Sequence, residues 1–148
     1  MKRGFTLIEL LIVLAIISAL MGIATPVGLT ALKKAKATQI AANLRNISEA
    51  VLTAFLTYNS DYFSAIDNNN EITEENKAKL RIKKLYQDGF IDKDLSESGY
   101  EILLSEGGKS YKICYVNKDI EFLLVRSSNP SVKLDENTGY ICLEVPKP

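Results

Sequence analysis

The sequence predicts an α+β protein: one long, kinked N-terminal helix, its first half membrane-spanning, packed on an antiparallel sheet of about four C-terminal strands. Three observations carry that expectation. Phe5 to Ala24 is a twenty-residue apolar run with Glu9 as its only charge. Apolar residues then recur every three or four positions as far as Tyr58, the period of one helix face. From Tyr100 onward the segments are short, rich in Tyr, Ile, Val and Leu, and separated by turn residues.

As a helix, the first run spans about 30 Å, the thickness of a hydrocarbon core. Lys2 and Arg3 precede it, so the positive-inside rule keeps the N-terminus in the cytoplasm and sends the C-terminal part across. Pro26 removes a helix hydrogen bond and crowds the preceding turn, and Gly22 and Gly28 lower helix propensity further. A bend or local melting is therefore expected at 22–28. Beyond it, Ile40, Leu44, Ile47, Val51, Phe55 and Tyr58 form one apolar stripe that needs a sheet to cover it.

Residues 59–70, rich in Ser, Asp and Asn, read as a loop. A second helix is expected over 74–87, with Thr73 as cap, Glu74 and Glu75 at its positive end, and Gly89 as terminator. Ala78, Ile82, Leu85 and Tyr86 would face the core. Lys77, Arg81 and Lys84 would form a basic stripe on the other face, solvated unless a ligand or nucleic acid covers it. Strands are expected at 100–105, 111–116, 120–126 and 140–145. Glu106-Gly107-Gly108 and Asn117-Lys118-Asp119 would be the turns joining the first three.

Composition removes several function classes. The chain has no histidine among its 148 residues, which excludes Ser-His-Asp and Cys-His catalysis and His-Glu-x-x-His zinc sites. No phosphate-binding glycine loop is present, and no two carboxylates are marked by their spacing, so no catalytic residue is assigned and the chain is read as a non-enzyme. The net charge of zero conceals an asymmetry. Residues 1–45 carry six basic side chains and one acid, whereas residues 46–148 carry twelve basic and seventeen acidic ones, a net of −5. The mildly acidic C-terminal part argues against a general polyanion-binding surface. Asp67-Asn68-Asn69-Asn70-Glu71 resembles a calcium loop only superficially, because Ile72 replaces its glycine and Ala78 its last acid. It and Asp135-Glu136-Asn137 read as turns, with no metal or cofactor expected.

Glu9 is the feature that composition leaves unexplained. A carboxylate within an apolar helix is costly unless it has a partner. A plain signal anchor gives no reason to keep it. A cleaved secretory peptide fits the basic start and the small-x-small Gly22-Ile23-Ala24, but not an acid in the apolar region or Pro26 just beyond the cut.

Gly4-Phe5-Thr6-Leu7-Ile8-Glu9, followed by Leu10-Leu11-Ile12-Val13-Leu14-Ala15-Ile16-Ile17, resembles the N-terminus of type IV pilins and type II secretion pseudopilins. The resemblance is strong over residues 1–58 and architectural beyond them. It implies a leader of residues 1–4, an assembly and membrane half over 5–28, and an exported pilin-like domain over 29–148 that starts with helix 29–58. It also implies cleavage between Gly4 and Phe5 by a prepilin peptidase and N-methylation of Phe5. The Phe5 amine of one subunit would then pair with Glu9 of another as helices move from membrane lipid into a filament. Pro26 falls where such pilins often carry a helix-loosening proline.

The partners implied are other copies and related pilins, the prepilin peptidase/methyltransferase and an inner-membrane assembly platform. The implied locations are the inner membrane before assembly and a pilus or periplasmic pseudopilus after it. Physical chemistry is compatible, since pairing relieves two costly charges at once and can set helix stagger. An intramolecular contact between Phe5 and Glu9, four apart on one helix, is the local alternative.

Cys114 and Cys142 complete the reading. In an exported domain an even count suggests one disulfide, joining the last strand to the second. Many pilins bracket a C-terminal loop with such a pair, which favours a pilus subunit over a secretion or competence pseudopilin. Two reduced, buried thiols are the alternative. A non-polymerising membrane-anchored or secreted binding domain is the functional alternative of a different class.

Overall fold

A computed structural model describes residues 4–148. Lys2 and Arg3, and with them most of the expected leader, lie outside the described residues. Chain contacts divide the protein into two units, residues 1–35 and 36–148.

The first unit is the start of helix α1 (Leu7–Tyr58), and every described residue from 4 to 35 is exposed. The helix begins at Leu7 rather than at Phe5. The helix is unbroken through 22–28, so of the two forms expected there, a bend or local melting, melting does not occur. One proline removes a single hydrogen bond from a helix of 52 residues. Thr25 Oγ1 and Thr30 Oγ1 meanwhile donate to the Met21 and Pro26 carbonyls, four residues back, at 2.9 and 3.0 Å.

In the second unit the expected stripe is buried at Ile40, Leu44, Ile47, Val51 and Phe55, with Ala37, Ala41 and Ala54 letting neighbouring chain approach closely. Tyr58 departs from the stripe and is largely exposed, at the end of the helix where Asn59 turns the chain at φ 65°. The sheet comprises β1 (Tyr100–Leu104), β2 (Ser110–Tyr115), β3 (Lys133–Leu134) and β4 (Ile141–Pro146), in the order β1-β2-β4-β3 and antiparallel throughout. Alternation puts Tyr100 and Ile102, Tyr111, Ile113 and Tyr115, and Ile141 and Val145 on one buried face. Phe55 of α1 meets Tyr111 of that face, with ring centroids 5.6 Å apart.

Two short helices were not anticipated. The loop at 59–70 contains α2 (Ser64–Asp67) and buries Tyr62 and Phe63, whose rings join those of Phe55 and Tyr111. The segment expected as a strand at 120–126 is helix α4 (Phe122–Ser128), so Asn117-Lys118-Asp119 does not turn a hairpin. A short apolar run does not declare its period, and topology decides here. β1 and β4 occupy both sides of β2, leaving no slot beside it for the following segment. The fourth strand is instead the two-residue β3 on the far side of β4.

Helix α3 (Glu74–Gln87) has the expected bounds. Thr73 occupies the cap position, although its side chain makes no capping bond. The helix stops in a Schellman arrangement at Gly89, φ 79°: Phe90 N–H donates to the Leu85 carbonyl and Gly89 N–H to that of Tyr86. Its polar face is a correction. Arg81 is 1% exposed and Lys77 5%, so they are not a solvated stripe, whereas Tyr86, expected inside, is exposed. The basic side chains face inward because partners await them there. Arg81 Nε donates to Asp67 Oδ1 at 2.8 Å and Nη1 to the Ile102 carbonyl at 2.7 Å on the edge strand, and Tyr111 Oη donates to Asp67 Oδ2. Arg81 Nη2 lies 2.8 Å from Asp67 Oδ1, close enough for an ion pair but without hydrogen-bond geometry.

Candidate assembly and membrane site

The chemistry singled out by the sequence gathers at the start of α1. Thr6 and Glu9 stand in the Thr-x-x-Glu spacing of a capping box. Glu9 Oε2 accepts from the Thr6 backbone N–H at 2.8 Å and from Thr6 Oγ1 at 2.7 Å. The Glu9 N–H points back to Thr6 Oγ1 at 3.4 Å. The acid thus satisfies an N–H that the first turn of any helix leaves unpaired. Its negative charge also sits at the positive end of the helix dipole.

This arrangement revises the local alternative for Glu9. Because Phe5 precedes the helix, the two residues do not share a helical face, and the intramolecular partner of Glu9 is Thr6. Thr6 is the residue that the sequence reading missed, although the four-residue spacing of a capping box was present to be found. Phe5, at the expected Gly4–Phe5 junction, is 80% exposed. Cleavage there would leave the Thr6 N–H intact, since its peptide bond is to Phe5.

Beyond the cap, the helix is long and apolar enough to cross a membrane, and none of its most apolar window is buried within the protein. Leu10, Leu11, Ile12, Leu14, Ile16, Leu20, Met21 and Ile23 are all exposed. A continuous apolar surface of this length is not compatible with water on all sides; it requires lipid or other protein.

Cys114 and Cys142 form a disulfide between β2 and β4, with Cα atoms 4.1 Å apart at directly opposed positions. The bond staples the second strand to the last and closes a loop that contains α4 and β3.

The other sites considered resolve into structural roles. Asp67 is taken by Arg81 and Tyr111. Asp135 Oδ2 accepts from Lys112 Nζ at 2.8 Å, and Oδ1 from the N–H groups of Asn137 and Thr138 and from Thr138 Oγ1. The Lys112 contact first, then the Thr138 bonds, hold the Asp135 carboxyl down to about 2. Among the described residues no three acids or cysteines are grouped to hold a metal. The Glu106-Gly107-Gly108 turn closes the β1–β2 hairpin with both glycines at positive φ. A half-open cleft of about 850 Å³ lies between α1 and the 89–98 segment, lined by Gln39, Asn43, Asn46, Asp92 and Lys93 among others.

Residues 1–25 match the family model described as the prokaryotic N-terminal methylation motif, the signature of type IV pilins and pseudopilins. The match covers the junction at Gly4–Phe5, Glu9 and the apolar run, and none of the C-terminal domain. Neither the curated proteins nor the solved structures yielded a match to the chain. The methylation motif and the long-helix α+β fold are the features in which the chain is similar to type IV pilins and pseudopilins.

Proposed function

We propose that this chain is a structural subunit of a type IV pilus-like filament. It is made as a single-pass precursor in the cytoplasmic membrane, with residues 1–4 as leader. A prepilin peptidase cuts between Gly4 and Phe5 and the new amine on Phe5 is methylated. An inner-membrane platform then moves the α1 helices from lipid into a fibre, where they meet other copies and related pilins. The Phe5 ammonium of one subunit pairs there with Glu9 of its neighbour, and Pro26, which offers no N–H to the preceding turn, lets the helix loosen as it packs. The fibre is extracellular.

The observation that carries this reading is the methylation motif at residues 1–25 standing on a helix whose apolar surface has no cover of its own. The exported domain supports a structural role: its buried Arg81 is tied to Asp67 and the Ile102 carbonyl, and its buried Tyr111 to Asp67. The Cys114–Cys142 staple suits an extracellular fibre and favours pilus over secretion or competence pseudopilus.

Mass spectrometry of the N-terminal peptide from cell-derived material tests the reading. The expected peptide begins at Phe5 and carries one N-methyl group. A chain starting at Met1 or at Thr25 would overturn processing and, with it, assembly by this route.

A further inference from the structure

The apolar stretch of α1 ends on a pair of cations. Phe5 to Leu32 contains 28 residues with Glu9 as the only charge, and Lys33 and Lys34 follow directly. No acid occurs between Glu9 and Glu49, so this part of the chain is uniformly positive. Both lysines are exposed, as are Leu29 and Leu32 just before them.

Length gives these positions a meaning. From the first helical residue, Leu7, to Lys33 the chain rises about 40 Å at 1.5 Å per residue. Hydrocarbon alone is about 30 Å thick, and a bilayer counted through both headgroup layers is about 40–45 Å. With the Thr6–Glu9 cap at one headgroup layer, Lys33 and Lys34 arrive at the other. Successive helical residues diverge by about 100°, so the two side chains leave the backbone on different sides of the helix. Their flexible stems can lie along apolar chains while the charged ends rise to phosphate oxygens.

We infer that Lys33 and Lys34 bind the phosphate groups of two anionic lipids in the outer leaflet of the cytoplasmic membrane, fixing the depth of the unassembled subunit. The inference rests on the membrane-anchored precursor proposed above. It matters most after processing. Lys2 and Arg3 leave with the leader, and these lysines become the first basic side chains of the chain, at the far end of the span. A juxtamembrane lysine near an anionic surface favours binding by about fivefold, so the pair gives at most about 25-fold.

The test uses the full-length chain in mild detergent, titrated with phosphatidylglycerol or phosphatidylcholine and read lipid by lipid in native mass spectrometry. The first two phosphatidylglycerol molecules should each bind about fivefold tighter than phosphatidylcholine. Lys33→Gln and Lys34→Gln should each erase one of those steps, and the double variant both. A double variant that keeps the full preference would overturn the proposal. So would carbodiimide crosslinks from these lysines to carboxylates of a second copy with no lipid preference, which would assign them to contacts between subunits. Alkaline carbonate extraction of cell membranes keeps the premise separate. Retention of the protein together with absent lipid preference sinks the lysine proposal alone, and release of the protein sinks the spanning reading as well.

Discussion

Replacing Arg81 tests the largest gap between what the sequence suggested and what the fold does with it. The guanidinium is 1% exposed and holds together three elements: α3, which carries it; Asp67 at the end of α2; and the Ile102 carbonyl on edge strand β1. Arg81→Met keeps an unbranched apolar stem and removes the guanidinium with its charge. Asp67, whose side chain is 10% exposed, would then stay buried with Tyr111 as its remaining partner. Removing one member of a buried pair costs about 3–5 kcal/mol, chiefly through the charge left behind. With total stability of roughly 5–15 kcal/mol for a domain, that is about a fifth of it or more. Taking a urea m-value of about 1.5 kcal/mol/M, the midpoint should fall by roughly 2–3 M.

The assay is urea unfolding of the full-length chain in mild detergent, followed by tyrosine near-ultraviolet circular dichroism. Adding Asp67→Asn to Arg81→Met removes the orphaned charge and keeps an acceptor for Tyr111. It should therefore recover more than half of the loss. A single variant within about 1 kcal/mol of the parent, or a double variant worse than the single, would refute the view that the pair is fully desolvated and mutually dependent.

Three further outcomes are expected. Ser at both Cys114 and Cys142 should lower stability by about 3–4 kcal/mol, the chain-entropy value for the loop they close, and dithiothreitol should have no effect on that variant while destabilising the parent. Because Asp135 is held below its ordinary value of 3.8, its ionised form stabilises the fold above that pH, and the contribution disappears as pH falls from about 4 towards 2. The stability gap between the parent and Asp135→Asn should accordingly be constant above pH 4 and close below it; a gap that widens in acid would reverse the sign of the argument. At the helix start, Glu9→Ala should leave the exported domain folded but lower fibre yield. Glu9→Gln can still accept in the capping box but carries no charge, and Thr6→Val keeps the charge and the backbone N–H bond while removing the hydroxyl's share of the cap. Fibre yield that falls with Gln and largely survives Val would place the requirement on charge; the opposite order would place it on the cap.

Much of the architecture was legible because it rests on long, strongly periodic segments. The stripe from Ile40 to Phe55, the α3 bounds with Gly89 at its end, and the strands around Tyr100, Tyr111 and Tyr140 all follow from period and turn chemistry. The failures share a cause: each depended on what another part of the chain supplied. Phe122 to Ser128 has enough Leu and Val for a strand, but β4 returns to pair with β2 and takes the place a hairpin would need. Lys77 and Arg81 sit where a solvated face belongs by spacing, yet the 59–70 segment folds under α3 and presents Asp67 to Arg81 and its backbone carbonyl to Lys77. A polar composition concealed Tyr62 and Phe63, the two residues that draw that segment in.

Glu9 shows the same lesson at the site itself. Its presence in an apolar helix invited a search for a distant partner, and the cross-subunit amine remains the proposal for the fibre. In the single chain, however, the acid has a local role that needs no second copy. Thr6 gives it two hydrogen bonds through one oxygen, Oε2, and the helix N-terminus gives it a favourable field. On the route proposed above, the two roles would be sequential rather than exclusive. Cleavage before Phe5 leaves the Thr6 N–H in place, so the cap persists while a new ammonium forms one residue away. The cap's two hydrogen bonds orient the carboxylate, and a charge already oriented would lose less freedom when a neighbour's amine arrives. On the proposed route, Thr6 and Glu9, three apart and directly after the Gly4–Phe5 junction, would therefore serve the subunit in lipid first and the contact between subunits second.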